Sequence, residues 1–250
     1  MQQTGVAIEQ SQPHRSASAP SRFDVHRMFD RIALKYDILN RIFSFGQDLV
    51  WRKKLAEMLS QNNSEDVLDL ATGTADVLLS AFKHNKSMRT GVGVDLSGEM
   101  LDVGRLKIAQ ANLSDKTVLV RADALAVPAL DSSFDATTIS FGIRNVLDVE
   151  SALKEMYRVL RPKGKSFVLE FALPTNPLWR RMFLIYLRNL IPIIGGFFSG
   201  NRSAYKYLNE TVEAFPYGQE FAALMEKTGF KSVKVHKMTF GVAMIYEGIR

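Results

Sequence analysis

Cysteine is absent from all 250 residues. That removes disulfides, thiolate nucleophiles and thiolate metal sites together, and suits a reducing compartment. Histidine is scarce: His14, His26, His84 and His236 are scattered, with no pair at metal-ligand spacing, so no metal is expected. No apolar run reaches the ~20 residues that a membrane span needs. The longest, Met182 to Phe198, is interrupted by Arg188, Asn189 and Pro192. Between Arg180, Arg181 and Arg202, it suits dipping into a bilayer surface or covering a hydrophobic tail, and equally a buried helix and turn. Residues 1–22 lack both the apolar core of a secretory signal and the side chains to fold, and are expected as a disordered tail; no amphipathic arginine-rich helix marks a mitochondrial presequence.

Lysine and arginine number 32 against 26 acidic residues, a net charge of +6. The surplus favours an anionic neighbour, lipid headgroups or nucleic acid, but the basic residues are spread through helical segments as a solvated face would have them. The length suits one domain with decorations, expected over residues 23–250.

The informative stretch is Val67-Leu68-Asp69-Leu70-Ala71-Thr72-Gly73-Thr74-Ala75-Asp76, followed by Gly93-Val94-Asp95-Leu96-Ser97. Each part reads as an apolar strand ending in a turn, the first leading into a helix at Val77 to Phe82. Gly73 lets the backbone approach a ligand closely. Asp95, about twenty residues on, stands where a carboxylate accepts from both hydroxyls of a ribose. A dinucleotide cradle wants three glycines, whereas Ala75 and Leu78 fill the second and third places here. A single nucleoside carrying a sulfonium amino acid, S-adenosylmethionine, needs no such cradle. A tight turn in a ligand-free α/β domain is the bland alternative.

Apolar spacing over Asp24 to Ser60 predicts two helices, with Phe29, Ile32, Ala33 and Tyr36 on one face and Trp51, Leu55, Met58 and Leu59 on the next; residues 23–60 form a helical lid. Strands near 66–70, 90–96, 118–121, 135–140 and 165–173 alternate with helices after the first, second and fourth, which implies a parallel sheet with ligands beyond the strands' carboxyl ends. Residues 177–215 form a hydrophobic helical insertion. A helix through Phe221, Leu224 and Met225, a Gly229 turn and two strands finish the sheet as an antiparallel hairpin.

These elements resemble a Rossmann-like class I S-adenosylmethionine-dependent methyltransferase, with a mostly parallel seven-stranded sheet, a C-terminal antiparallel hairpin and added N-terminal helices. Five blocks are similar to the menaquinone/ubiquinone biosynthesis C-methyltransferase family: Phe29 to Asn40 with Trp51-Arg52; Gly93 to Leu101; Ser140-Phe141-Gly142-Ile143-Arg144-Asn145-Val146; Glu155 to Pro162 leading to Leu169-Glu170-Phe171; and Ala204 to Thr211. The third is far more specific than the glycine turn. Two positions depart from the pattern: Ala75 where the family carries glycine, and Lys163-Gly164 where it carries two. The Ala75 methyl leaves negative φ open, so cofactor binding is expected to survive.

The resemblance implies cofactor contacts at Thr74, Asp95, Asp123, Ala124 and Ser140 beside Gly73. Asp123 can accept from an adenine amino group while the Ala124 N–H donates to a ring nitrogen, or it caps a following helix. The implied substrate is a polyprenylated 1,4-naphthoquinol or benzoquinol, reduced, because a ring carbon becomes nucleophilic only beside a phenolate. No histidine lies in the matched blocks, which argues against an imidazole base. Arg144 is the first choice to stabilise the oxyanion, with Asn145 orienting the ring and Tyr36 or Asp37 relaying a proton; otherwise Arg144 serves a structural ion pair with a carboxylate such as Asp148. The resulting expectation is a cytoplasmic enzyme peripheral at the inner face of the membrane, without a nucleic-acid partner, as a homodimer or within a biosynthetic complex. A NAD-dependent oxidoreductase, a nucleic-acid methyltransferase and a non-catalytic scaffold are the competing classes. After the fourth strand, Ser140-Phe141-Gly142-Ile143 replaces the Asn/Asp-Pro-Pro-aromatic segment of adenine methylation.

Overall fold

Apolar periodicity before the first strand becomes two helices, α1 (Val25–Ser44) and α2 (Gln47–Gln61), in the computed structural model, which describes residues 25–193 and 202–250. The tail expected at 1–22 lies outside the described residues. Then follow β1 (Asp66–Leu70), α3 (Asp76–His84), β2 (Thr90–Asp95), α4 (Gly98–Gln110), β3 (Thr117–Arg121), β4 (Phe134–Ser140), a single 3-10 turn at Ile143–Asn145, α5 (Val149–Val159) and β5 (Leu160–Phe171). The insertion comprises α6 (Pro177–Ile185), a π turn at Tyr186–Leu190 and α7 (Arg202–Ala214); α8 (Gln219–Lys227), β6 (Lys231–Met238) and β7 (Ala243–Ile249) close the chain.

One seven-stranded sheet runs β3-β2-β1-β4-β5-β7-β6. β3, β2, β1, β4 and β5 are mutually parallel, and β7 lies antiparallel between β5 and β6. The expected fold class and closing hairpin are thus present. β1 is buried along its whole length, as a central parallel strand covered on both faces must be. Val67, Phe167 and Leu169 pack with α2 and α3 on one face; Leu68, Ile139 and Val168 pack with α5 and α8 on the other. Strand order reverses between β1 and β4. The crevice beyond their carboxyl ends is where an open α/β sheet receives ligands.

β5 departs from expectation by starting at Leu160, directly after α5. Its pairing with β4 is irregular between Phe134 and Ala136, and the strand passes through a left-handed residue at Lys163, φ +68°. A Cβ on the next residue, Gly164, would sit 2.8 Å from the Arg161 carbonyl oxygen. Asn176 caps α6 by accepting from the Trp179 N–H, with Pro177 fixing the first turn.

Candidate active site

The turn after β1 is tight because alternate residues are left-handed: Ala71 at φ +48°, Gly73 at +55° and Ala75 at +62°. The negative φ expected at Ala75 is therefore incorrect; its methyl is fully buried in a conformation that favours glycine. This winding aims the Gly73 N–H at β2, where Asp95 Oδ2 accepts it at 2.8 Å, while Oδ1 accepts the Ser97 N–H at 2.8 Å. Each oxygen keeps a lone pair for a ribose hydroxyl. Burial raises the Asp95 pKa against the lowering effect of the Ser97, Gly73 and Leu96 N–H groups. Beneath the turn lies Asp69, buried and accepting from the hydroxyls of Thr72 at 2.7 Å and Thr138 at 2.6 Å; burial pushes its pKa up to about 7.

Gly73, Asp95, Asp123, Ala124 and Ser140 line one cavity of about 290 Å³, roofed by Val25, His26 and Phe29 of α1. Asp123 accepts from the Leu125 N–H at 2.9 Å within a turn, so the helix it was expected to cap does not form. The buried Ser140 Oγ has no hydrogen-bond partner among the described residues. A cavity with an accepting carboxylate, an orphaned hydroxyl and no phosphate cradle fits a nucleoside joined to an amino acid. Gly142 permits this packing: a Cβ there would lie 2.5 Å from that of Ala71.

Thr74 does not line the cavity. Its hydroxyl donates to Asp37 at 2.7 Å, and Lys107 reaches Asp37 at 2.8 Å as well as Asp76. Asp37, with both oxygens occupied and neither cavity beside it, is no proton relay; it fastens α1 to the turn and to α4. Asp30 fastens α1 a second time by accepting from the Ser97 hydroxyl at 2.5 Å. Asp48 accepts from Arg41, Arg52 and Ser44, and Arg52 also reaches Asp76 at 3.3 Å, tying both lid helices to α3.

A second cavity, about 410 Å³ and walled by apolar side chains of α1, α2, α6 and the π turn, adjoins the first. Phe29, Tyr36, Phe141 and Asn145 line both. Trp51, Phe141 and Phe171 form an aromatic cluster with ring centres 4.5–6.1 Å apart. Arg144, 6% exposed, also lines the cavity. It bonds Glu170 at 2.6 Å and the Phe141 carbonyl at 2.7 Å, and lies over the Phe171 ring. Its ion-pair partner is therefore Glu170 of β5 rather than Asp148, which caps α5 through Ser151. The Arg144 Nε–H is buried without a partner. Burial raises the Glu170 pKa, opposed by the charge of Arg144. Tyr36 is pushed up too by burial, against a bond from Asn40, so at neutral pH it is a phenol that donates rather than a base. The Asn145 side-chain Oδ1 accepts from the Tyr207 hydroxyl at 3.3 Å.

Arg144, Asn145 and Tyr36 are thus brought together, and five of the six expected cofactor residues share one cavity. Asp69, Arg52 and Glu170 stand in stretches that the sequence singles out but carry no assigned role there, and Asp48 and Lys107 are not singled out at all. Glu170 carried a signal, a lone carboxylate at the end of Phe167-Val168-Leu169; Lys107, on an ordinary helix, carried none. His26, outside the matched blocks only by three residues, reaches the cofactor cavity but not the apolar one.

Solved structures share the fold. A SAM-dependent methyltransferase from Thermotoga maritima superposes with a TM-score of 0.58 at 20% identity, covering 89% of this chain and 98% of its own, and one from Aquifex aeolicus with 0.52 at 15%, covering 74% and 81%. Among curated relatives, a ubiquinone/menaquinone biosynthesis C-methyltransferase UbiE of Geotalea daltonii is 42% identical over 224 residues, 90% of this chain and 95% of that one. A demethylmenaquinone methyltransferase of Thermus thermophilus is 44% identical over 223 residues, 89% of this chain and 100% of the relative. The model of the ubiE/COQ5 methyltransferase family matches residues 16–250. The chain belongs to that family and is an S-adenosylmethionine-dependent methyltransferase.

Proposed function

We propose that the enzyme C-methylates a polyprenylated quinol, converting demethylmenaquinol to menaquinol. The observation that carries this reading is a buried Arg144 that lines an apolar cavity adjoining the cofactor cavity and whose Nε–H has no hydrogen-bond partner among the described residues. An aromatic ring held against Trp51, Phe141 and Phe171 can present a hydroxyl oxygen to that donor, and Glu170 fixes the guanidinium so that no reorganisation is needed as charge develops. Stabilising the phenolate raises electron density on the neighbouring carbon, which is the nucleophile; an oxidised quinone lacks it. When bound, S-adenosylmethionine supplies a methyl group already activated on sulfonium. Asp95 and the Ser140 hydroxyl hold the donor, Asn145 and Tyr36 border both cavities, and the apolar walls exclude water, so positioning supplies most of the rate. The quinol hydroxyl gives up its proton to solvent as the phenolate forms; after transfer the proton on the methylated ring carbon is lost and the oxygen regains one, restoring the aromatic quinol with one proton released overall.

The naphthoquinol is put first because the Thr239-Phe240-Gly241-Val242-Ala243 ending resembles the menaquinone branch of the family; Thr239 lines the apolar cavity and accepts from Trp51 Nε1 at 2.8 Å. Relatives named for both pathways keep the benzoquinol as the second reading. The test is methyl transfer to each prenylated substrate with and without a chemical reductant. Turnover of reduced demethylmenaquinol at about tenfold or higher kcat/KM than the benzoquinol is expected, with none on the oxidised forms. Equal rates on oxidised and reduced substrate would overturn the mechanism, and a benzoquinol preference would overturn the substrate.

A further inference from the structure

The apolar cavity does not end at its mouth. Phe183 and Leu187 face inward from α6 and the π turn, whereas Leu178, Met182 and Ile185, at i, i+4 and i+7, form an outward stripe; Leu178 is 71% exposed and Ile185 55%. Against this segment stand Phe45, 76% exposed with its ring 5.6 Å from that of Tyr186, and Phe240, 85% exposed with its ring 6.0 Å from that of Trp179. Phe45, Met182, Trp179 and Tyr186 line the cavity itself, so wall and rim are one continuous apolar surface. Isolated exposed apolar residues are ordinary; several gathered around the opening of an apolar cavity mark an interaction site. Charge says what kind. α6 and the π turn carry Arg180, Arg181 and Arg188 and no carboxylate; among the described residues Arg188 pairs with Glu213, whose carboxylate also feels the charge of Arg180. An apolar stripe flanked by arginines is the composition of a helix that lies in a lipid–water interface, its aliphatic face among the acyl chains and its cations among anionic headgroups.

The geometry points to a lipid-docking face formed by α6, the tip between α1 and α2, and Phe240, which seats the mouth of the apolar cavity on an anionic bilayer. A quinol then moves from membrane to cavity without its tail crossing water. No helix among the described residues is long and apolar enough to span a membrane. The assignment of this surface rests on the prenylated-quinol reading for its purpose but not for its evidence, and the two are separable by experiment.

Flotation of the full chain with phosphatidylglycerol/phosphatidylcholine vesicles, and with phosphatidylcholine alone, measures docking. Methyl transfer to a tailless naphthoquinol in vesicle-free buffer measures chemistry. The double variant Leu178→Glu/Ile185→Glu, whose side chains lie outside the cavity, should bind anionic vesicles at least about tenfold more weakly. It should methylate the tailless quinol at the wild-type rate, which also shows that it folds. Arg180→Glu and Arg181→Glu should each cost roughly fivefold on anionic vesicles and little on neutral ones. Vesicle binding by the Glu double variant equal to wild type would overturn the docking face while leaving the methyltransferase reading intact. Docking without turnover of any quinol would sink the proposed substrate and spare the surface. Sedimentation of the wild type as a dimer that the double variant dissolves would reassign the face to a second copy of the chain.

Discussion

The two cavities share four walls yet are built in opposite ways. The cofactor cavity is polar at its base and made mostly of backbone and short side chains at the ends of β1, β2, β3 and β4, with α1 only as its roof. The apolar cavity draws on α1, α2, the 3-10 turn, β5, α6, the π turn, α7 and the turn before β7, and its few polar groups are mostly paired with one another. A pocket at strand ends is fixed once the sheet forms. A pocket between added helices exists only while ion pairs hold those helices down. On the proposed function, recognition of the donor is a property of the sheet, and recognition of the substrate a property of α1, α2, α6 and the π turn.

Arg144→Ala offers the largest break between the two. On the proposed mechanism it removes the group that stabilises the phenolate, so kcat should fall about 10³-fold while cofactor affinity by calorimetry changes less than about threefold. The buried Glu170 loses its partner and takes up a proton; adding Glu170→Gln to the variant should recover stability without recovering turnover. Loss of cofactor binding in Arg144→Ala would show that the cavities are not independent.

Asp69 tests the sheet side. Its carboxyl is raised from 3.8 to about 7, so the folded state binds the proton more tightly than the unfolded one. Stability from this group is full below about pH 4 and is lost as pH rises through 7, by up to ~4 kcal/mol. Asp95 and Glu170 are raised too and push in the same direction, so the comparison is with Asp69→Asn. Urea midpoints should converge at or below about pH 4 and favour the Asn variant increasingly up to about pH 8; parallel curves would mean that the carboxyl titrates normally.

Asp95→Ala should weaken S-adenosylmethionine about 10²-fold, since two charge-assisted bonds to ribose go with it. kcat at saturating donor should hold within a few-fold. Unchanged affinity would place the sugar elsewhere.

This asymmetry also governed what could be read from the chain. Gly73 and Asp95 stand within 22 positions and each closes a strand, so local pattern alone revealed their shared cavity. Arg144 and Asn145 were visible through one specific block. Glu170 was not assigned to Arg144, because pairing a 3-10 turn with the end of the neighbouring strand depends on the β4–β5 register, and Asp148, near in sequence, was the simpler guess. Nor did any spacing bring Lys107 of α4 to Asp37 of α1, 70 positions away. The Met182 to Phe198 run was ambiguous for a physical reason: over its described part, to Ile193, it serves cavity and surface with opposite faces of one helix.

The smallest effects come from the two departures from glycine, and they separate backbone strain from packing. Ala75 and Lys163 both adopt left-handed backbone, at φ +62° and +68°, where a Cβ costs about 1–2 kcal/mol. Glycine relieves that strain at either site but gives the unfolded chain more freedom, worth about 0.4–1 kcal/mol against it. At Lys163 the side chain is exposed, so nothing else is lost, and Lys163→Gly should raise stability by about 0.5–1 kcal/mol. At Ala75 the methyl is fully buried near Gly104, where an added Cβ would lie 3.4 Å away; deleting it forfeits about 0.8 kcal/mol of burial and cancels the gain. Thermal unfolding should therefore move up for Lys163→Gly and stay nearly level for Ala75→Gly. An equal rise in both would mean that the buried methyl packs poorly and that the cofactor turn is under more strain than the strand.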